Sequence, residues 1–250
     1  MSELRRLSRA SRWKVVLLRR ALDFLFAVLT QRQVFGLENI PAAGSCLVVF
    51  NHLSNFDPPL IFTLLRRTDA TGLMADNYRQ RWFYRIVVET GGGMWLKRGA
   101  SDRGALTAAL SLLRRGWIVA ITPEGRRSPT RALIEGKRGP AFLAARADVP
   151  IVPVGLTNTE NLGRALKRLR RITLTVRVGK PFRLPPLDRM DEKSHLKTCT
   201  EIIMCHIAAL LPPKYRGVYD GHPRLRSLLA DLEPFGPGSC GDRGENAPAQ

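Results

Sequence analysis

Three short runs in this chain are apolar or small at nearly every position instead of at every second one: Leu47-Val48-Val49-Phe50, Trp117-Ile118-Val119-Ala120-Ile121-Thr122 and Val149-Pro150-Ile151-Val152-Pro153-Val154-Gly155. A strand with one face in water alternates polar and apolar residues, whereas a strand covered on both faces reads as a continuous run. Each run is bounded by turn residues and separated from the next by segments of helical periodicity. Such a pattern predicts an α/β chain. Its 250 residues, 44% of them hydrophobic, are enough for one domain with a proper core.

Chemistry-bearing residues stand directly after the runs. In open α/β sheets ligands bind beyond the carboxyl ends of the strands. The first run leads into Asn51-His52-Leu53-Ser54-Asn55-Phe56-Asp57-Pro58, and the second into Pro123-Glu124-Gly125-Arg126-Arg127-Ser128. His52 and Asp57 are five apart and would diverge by roughly 140° on one helix. A loop that folds back brings them together, so that the carboxylate fixes the imidazole tautomer and stabilises the imidazolium formed when the ring takes a proton. Ser54 is a poor nucleophile candidate, and a His–Asp pair without an enzyme nucleophile activates a hydroxyl of the substrate itself. The competing reading makes Asp57 only the cap of a helix whose first residue is Pro58, with His52 a plain loop residue. Glu124 offers hydrogen-bond acceptors for a polyol, and the arginines beside it can hold a phosphate. Lys137, between Gly136 and Gly139, follows. A further glycine-rich stretch, Gly91-Gly92-Gly93-Met94-Trp95-Leu96-Lys97-Arg98-Gly99, reads as close backbone approach, a short strand and two cations at its end.

The charge balance is strongly basic, with 40 Lys+Arg against 21 Asp+Glu and a formal net charge of +19. This implies an anionic partner: nucleic acid, anionic lipid or phosphorylated substrates. The basic residues are spread along the chain, and no helix-turn-helix, RNA-recognition or zinc pattern is visible, which argues against a nucleic-acid-binding module. Four scattered cysteines read as reduced thiols of a cytosol-facing protein, not as metal ligands.

The segment 15–30 is apolar but interrupted by Arg19, Arg20 and Asp23, too broken for a spanning helix or a signal peptide. On a helix Val15, Leu18, Leu22, Leu25 and Leu29 share one face and Arg12, Arg19 and Asp23 another. That arrangement suits an amphipathic helix lying in an anionic membrane interface, the alternative being a helix packed on the domain's own core. Helices are also expected from Pro58, from Tyr78 to Val88 with Trp82 and Ile86 buried, from Ser101 to Arg115, from Pro140, from Gly163 and from Asp191 to Leu211. A strand with alternating pattern is expected at 172–178. Residues 164–171 concentrate five cations, readable as a solvated face or as contacts to phosphates or an acidic carrier surface. The pattern fades beyond Tyr219, and the Gly- and Pro-rich end from about 234 reads as a disordered tail.

His52-x4-Asp57, Gly92-Gly93 with Arg98 five residues after Gly93, Pro123-Glu124-Gly125, and the Val-Pro-Ile-Val-Pro-Val strand occur in the order and spacing of the glycerolipid acyltransferases. The chain resembles most the bacterial 1-acyl-sn-glycerol-3-phosphate acyltransferases over roughly residues 32–220. That resemblance implies a single domain with a mostly parallel central sheet flanked by helices; before it stand the basic N-terminus and amphipathic membrane-associating helix of residues 1–31, and after it the tail of residues 221–250. It implies transfer of an acyl group from acyl-coenzyme A or acyl carrier protein to the free hydroxyl of lysophosphatidic acid at the cytoplasmic face of a membrane, with no metal or cofactor. His52 would be the general base and Asp57 its orienting partner. Arg98, Glu124, Gly125, Arg127 and Lys137 would bind the acceptor. Two departures stand out: Arg126 replaces the usual Thr after Glu-Gly, and Lys97 stands where many members carry another polar residue. They leave open another acceptor, such as glycerol 3-phosphate, a lyso-ornithine lipid or a glycolipid intermediate.

Overall fold

The computed structural model describes residues 12–96, 103–186 and 191–231. Helix α1 (Arg12–Leu29) leads into strand β1 (Thr30–Phe35). Then follow β2 (Cys46–Phe50), α2 (Asp57–Leu64), β3 (Ala70–Ala75), α3 (Trp82–Gly91) and β4 (Met94–Leu96). Next come α4 (Arg103–Arg114), β5 (Ile118–Ile121), α5 (Gly139–Ala147), β6 (Ile151–Thr157), α6 (Leu162–Lys167) and β7 (Ile172–Val178). Helices α7 (Glu192–Ala209), α8 (Pro213–Arg216) and α9 (Pro223–Asp231) complete the described chain.

The strands form one seven-stranded sheet in the order β1-β7-β6-β2-β5-β3-β4. All neighbours are parallel except β6 and β7. Strands β1 and β7 therefore run opposite to the other five. The edge where β2, β5 and β6 end is the edge where β1 and β7 begin, and the loops of interest gather there.

The continuous apolar runs have the cause their pattern predicts. Along β2, Leu47 and Val49 enter one core with Val119, Ile121 and Ile151 and with residues of α4, α5 and α7. Cys46, Val48 and Phe50 enter a second core on the other face, with Leu60 and Ile61 of α2, Leu162 of α6 and Phe26 of α1. Strand β7 alternates instead, burying Leu174, Val176 and Val178. Past Tyr219, where the sequence pattern fades, helix α9 packs on α7 with Leu225 1% exposed.

Two helices differ from the sequence reading. In α1 the buried residues are Val15, Arg19, Leu22 and Phe26, so Arg19 lies on the packed side and not with Arg12 and Asp23. Its Nη2 donates to the carbonyl of Arg67 beyond the end of α2 at 2.7 Å, and its guanidinium lies 5.0 Å from the Phe62 ring centre. The charge-assisted hydrogen bond to a carbonyl offsets part of the hydration the buried guanidinium loses. The outward side of α1 is also apolar: Trp13, Leu17, Phe24 and Val28 are exposed. In α3 the expected buried pair Trp82 and Ile86 is 75% and 50% exposed. The buried residues are Val87, Val88 and Gly91. The helix begins at Trp82, after a separate turn at Asp76–Tyr78, so the face that packs is set by its last turn. No helix among the described residues is long and apolar enough to cross a membrane. Cys46, Cys199 and Cys205 are buried free thiols.

Candidate active site

Asp57 is fully buried and begins α2, but its carboxylate does not cap that helix. It turns back into the preceding loop. Oδ2 accepts from His52 Nδ1 at 2.9 Å and from the backbone N–H groups of Leu53 and Ser54, each at 2.7 Å. Oδ1 accepts from Ser54 Oγ at 3.1 Å and from Thr159 Oγ1 at 2.5 Å. Five donors on one buried carboxylate compensate its lost hydration. The helix-cap reading of Asp57 is thereby set aside. Because a carboxylate only accepts, the imidazole proton is on Nδ1 and the Nε2 lone pair is left for a substrate proton. The His52 side chain is 14% exposed, enough for one edge to face the cleft. Ser54 Oγ is spoken for on both sides, donating to Asp57 and accepting from the Phe56 N–H.

The loop after β5 fixes the backbone of His52. Glu124 Oε1 accepts from the His52 N–H at 2.8 Å, and the Ser128 N–H donates to the His52 carbonyl at 2.9 Å. Glu124 Oε2 accepts from Ile134 N–H at 3.3 Å, and the residue is 2% exposed. Burial pushes its carboxyl up to about 7, against the two N–H donors and with Asp57 adding repulsion. Both of its oxygens are turned inward onto backbone, so in this structure Glu124 meets the His52 loop and not open solvent.

Its neighbours are the ones that face solvent. Arg126, Arg127 and Lys137 are exposed on the same loop system. Gly125 has φ +64, and a Cβ there would meet Lys137 Cδ and Cε at 2.9 Å. The absent side chain lets the lysine stem lie across the loop. Lys137 N–H donates to Pro123 O, closing the turn. Arg98 and Lys97 lie outside the described residues.

Thr159 and Asn51 have no counterpart in the sequence reading. Thr159 follows β6 and is 0% exposed. Asn158 before it has φ +69, with its side chain donating to Thr173 O and its N–H donating to the Tyr215 hydroxyl. Tyr215 in turn donates to Glu160. Asn51 is buried at the end of β2 and exchanges two hydrogen bonds with the backbone of Leu156. The ends of β2 and β6 are thus locked in register beside His52.

The acyltransferase family profile matches residues 31–157, just over half of the chain, and the match takes in His52, Asp57 and Glu124. The chain belongs to the acyltransferase family. It is 30% identical over 130 residues to a 1-acyl-sn-glycerol-3-phosphate acyltransferase of Borreliella burgdorferi, covering 51% of this chain and 52% of that protein. It is 26% identical over 153 residues to a probable 1-acyl-sn-glycerol-3-phosphate acyltransferase of Mycoplasma pneumoniae, covering 59% and 57%. The chain spans about half the length of the curated relatives it matches. The crystal structure of the 1-acyl-sn-glycerophosphate acyltransferase PlsC of Thermotoga maritima superposes with a TM-score of 0.59 at 22% identity over 76% of each chain, and this likeness carries the fold.

In this acyltransferase-family chain a narrow apolar cavity of about 60 Å³ runs from Pro58, next to Asp57, between α2, β3 and α3. Phe62, Val87, Val88, Gly91 and Gly93 line it. A Cβ on Gly91 would meet the Phe62 ring at 3.1 Å, and one on Gly93 would meet Val88 Cγ1 at 2.9 Å. The glycines of this stretch therefore make room for apolar contents. Trp82, Phe83 and Tyr84 form edge-to-face contacts at the start of α3. Tyr78, just ahead of them, donates to Asn55 Oδ1 in the His52–Asp57 loop.

Proposed function

We propose that the chain transfers a fatty acyl group from a thioester, acyl-coenzyme A or acyl carrier protein, to the free hydroxyl of lysophosphatidic acid, giving phosphatidic acid. The observation that carries the reading is the His52–Asp57 pair at a strand end, with Nδ1 held at 2.9 Å by a buried carboxylate and Nε2 without a hydrogen bond to a described residue. The names of the similar proteins support the choice of acceptor.

In this mechanism the acceptor hydroxyl gives its proton to His52 Nε2 as its oxygen attacks the thioester carbonyl. The new C–O bond forms, the C–S bond breaks, and the imidazolium returns the proton to the departing thiolate. Asp57 stabilises the imidazolium and fixes its plane. Glu124 and Ser128 hold the His52 backbone from either side. The exposed Arg127 and Lys137, with Arg98, hold the acceptor phosphate as charge-assisted donors, and Gly125 clears the space for Lys137. The narrow apolar cavity behind Pro58 lies where the first part of the acyl chain enters. The outward apolar face of α1, with Trp82 and Ile86, rests in the membrane interface at the cytoplasmic face, where both donors are found.

Arg126 favours a second reading, the same chemistry on glycerol 3-phosphate, a lyso-ornithine lipid or a glycolipid intermediate. It adds a cation where the resembling family usually has a neutral Thr. A panel of these acceptors, each with radiolabelled acyl-coenzyme A and acyl carrier protein in detergent, separates the two. Preference for lysophosphatidic acid by kcat/KM supports the first reading; failure of the whole panel with folded protein overturns both.

A further inference from the structure

The turn between α6 and β7 combines features that ordinary surface turns avoid. Leu169 is 96% exposed and has φ +52, a left-handed conformation that strains a branched apolar residue. Arg168, Arg170 and Arg171 flank it, and Arg164 and Lys167 of α6 precede it, all exposed. None of Arg164, Lys167, Arg168 and Arg170 is in an ion pair with a described residue. Arg164, Arg168, Arg170 and Arg171 border an open recess of about 340 Å³.

The turn is joined to two elements already assigned roles. Arg171 Nη2 donates to the carbonyls of Ala27 and Thr30, at the end of α1, at 2.8 and 3.0 Å. The tip is thereby fastened beside the helix whose outward side is apolar and uncovered. At its other end α6 follows the short turn Thr159–Asn161, and a Cβ on Gly163 would lie 3.8 Å from the Phe56 ring in the His52–Asp57 loop.

We infer that this turn is a membrane-insertion element: Leu169 enters the acyl region of an anionic bilayer while Arg164, Arg168 and Arg170 take the headgroup phosphates. The inference rests on the membrane reading of α1 and extends it to a second element. An apolar tip ringed by cations matches a surface that is apolar within and anionic at its rim. An acidic protein partner would use the charges but leave the leucine in water. Insertion here seats the strand-end edge carrying His52 against the bilayer, where a lysophospholipid hydroxyl is presented.

The test is sedimentation of the full chain with vesicles of phosphatidylcholine alone and of equimolar phosphatidylcholine and phosphatidylglycerol. L169N, R168Q/R170Q and the α1 variant F24S/V28S are compared with wild type. Asparagine is at ease at positive φ, so L169N removes the apolar tip without a folding penalty. L169N is expected to bind both vesicle types about tenfold more weakly, from the loss of a buried leucine. R168Q/R170Q is expected to lose about tenfold or more on the anionic vesicles only, at roughly 1 kcal/mol per cation, with a flatter salt dependence. Activity of both on detergent-dispersed substrate stays at the wild-type level. Unchanged vesicle binding by both turn variants while F24S/V28S is released would overturn the inference and leave the α1 reading intact. Failure of the wild type to bind either vesicle would overturn the α1 reading itself. A raised KM for acyl-coenzyme A or acyl carrier protein in detergent, with vesicle binding unchanged, would assign the turn to the donor and overturn the inference.

Discussion

Thr159→Val isolates one hydrogen bond of the His–Asp pair. The side chain is 0% exposed and its hydroxyl donates to Asp57 Oδ1 at 2.5 Å. Valine keeps the shape and puts a methyl group against a buried carboxylate oxygen. That oxygen is then left with Ser54 Oγ at 3.1 Å alone. A hydrogen bond to a charged group is worth about 1.5–3 kcal/mol. If the loss is felt in full when the imidazolium forms, kcat falls about tenfold to a hundredfold. The acceptor sites are untouched, so KM for lysophosphatidic acid stays near wild type. Thr159→Ser retains the donor and restores most of the rate. Steady-state kinetics with both variants and a thermal melt of each provide the assay. A T159V enzyme within about twofold of wild-type kcat would refute the reasoning. So would a slow T159V whose defect T159S shares, because bulk and not the hydroxyl would then be what matters.

Other outcomes follow from the same geometry. A carboxyl raised from 4.5 to about 7 holds a proton in the folded state that the unfolded chain has released, so Glu124 makes stability fall as pH rises between those values, by about 3 kcal/mol in total. Urea denaturation at about pH 5 and about pH 8 should show that E124Q lacks this component of the wild-type loss. Gly125→Ala should raise KM for the phosphate-bearing acceptor several-fold, since its methyl group would strike the Lys137 stem at φ +64; kinetics across acceptor concentration checks this. Gly91→Val should shift donor preference to shorter chains, by closing the cavity against Phe62; a chain-length series of acyl-coenzyme A reads it directly.

What the sequence made legible follows from how local each signal is. Burial on both faces writes itself into a run such as Leu47-Val48-Val49-Phe50, because every side chain along it must be apolar. His52 and Asp57 are close in sequence and meet through a loop of four residues, so spacing alone suggests the contact. Thr159 lies 102 residues from Asp57 and looks like any polar residue after a strand; its position just beyond the end of β6 was the one available sign. Glu124 is legible as a site residue from its motif, but nothing in a short motif says whether a carboxylate faces outward or, as here, inward onto backbone. For α1 the periodicity was ambiguous at source. Apolar residues lie on both sides of the helix, so the pattern could not say which side the domain takes, nor that Arg19 would be buried over Phe62.

The central claim is that His52 removes the acceptor's proton and that acyl transfer depends on it. It is tested most directly by comparing wild type with His52→Ala for transfer of labelled acyl from acyl-coenzyme A and from acyl carrier protein to lysophosphatidic acid. Circular dichroism establishes that both are folded. The account predicts phosphatidic acid formed by the wild type and a loss of at least about a hundredfold in kcat for H52A, the scale of a positioned general base. Transfer by folded H52A at the wild-type rate would contradict it.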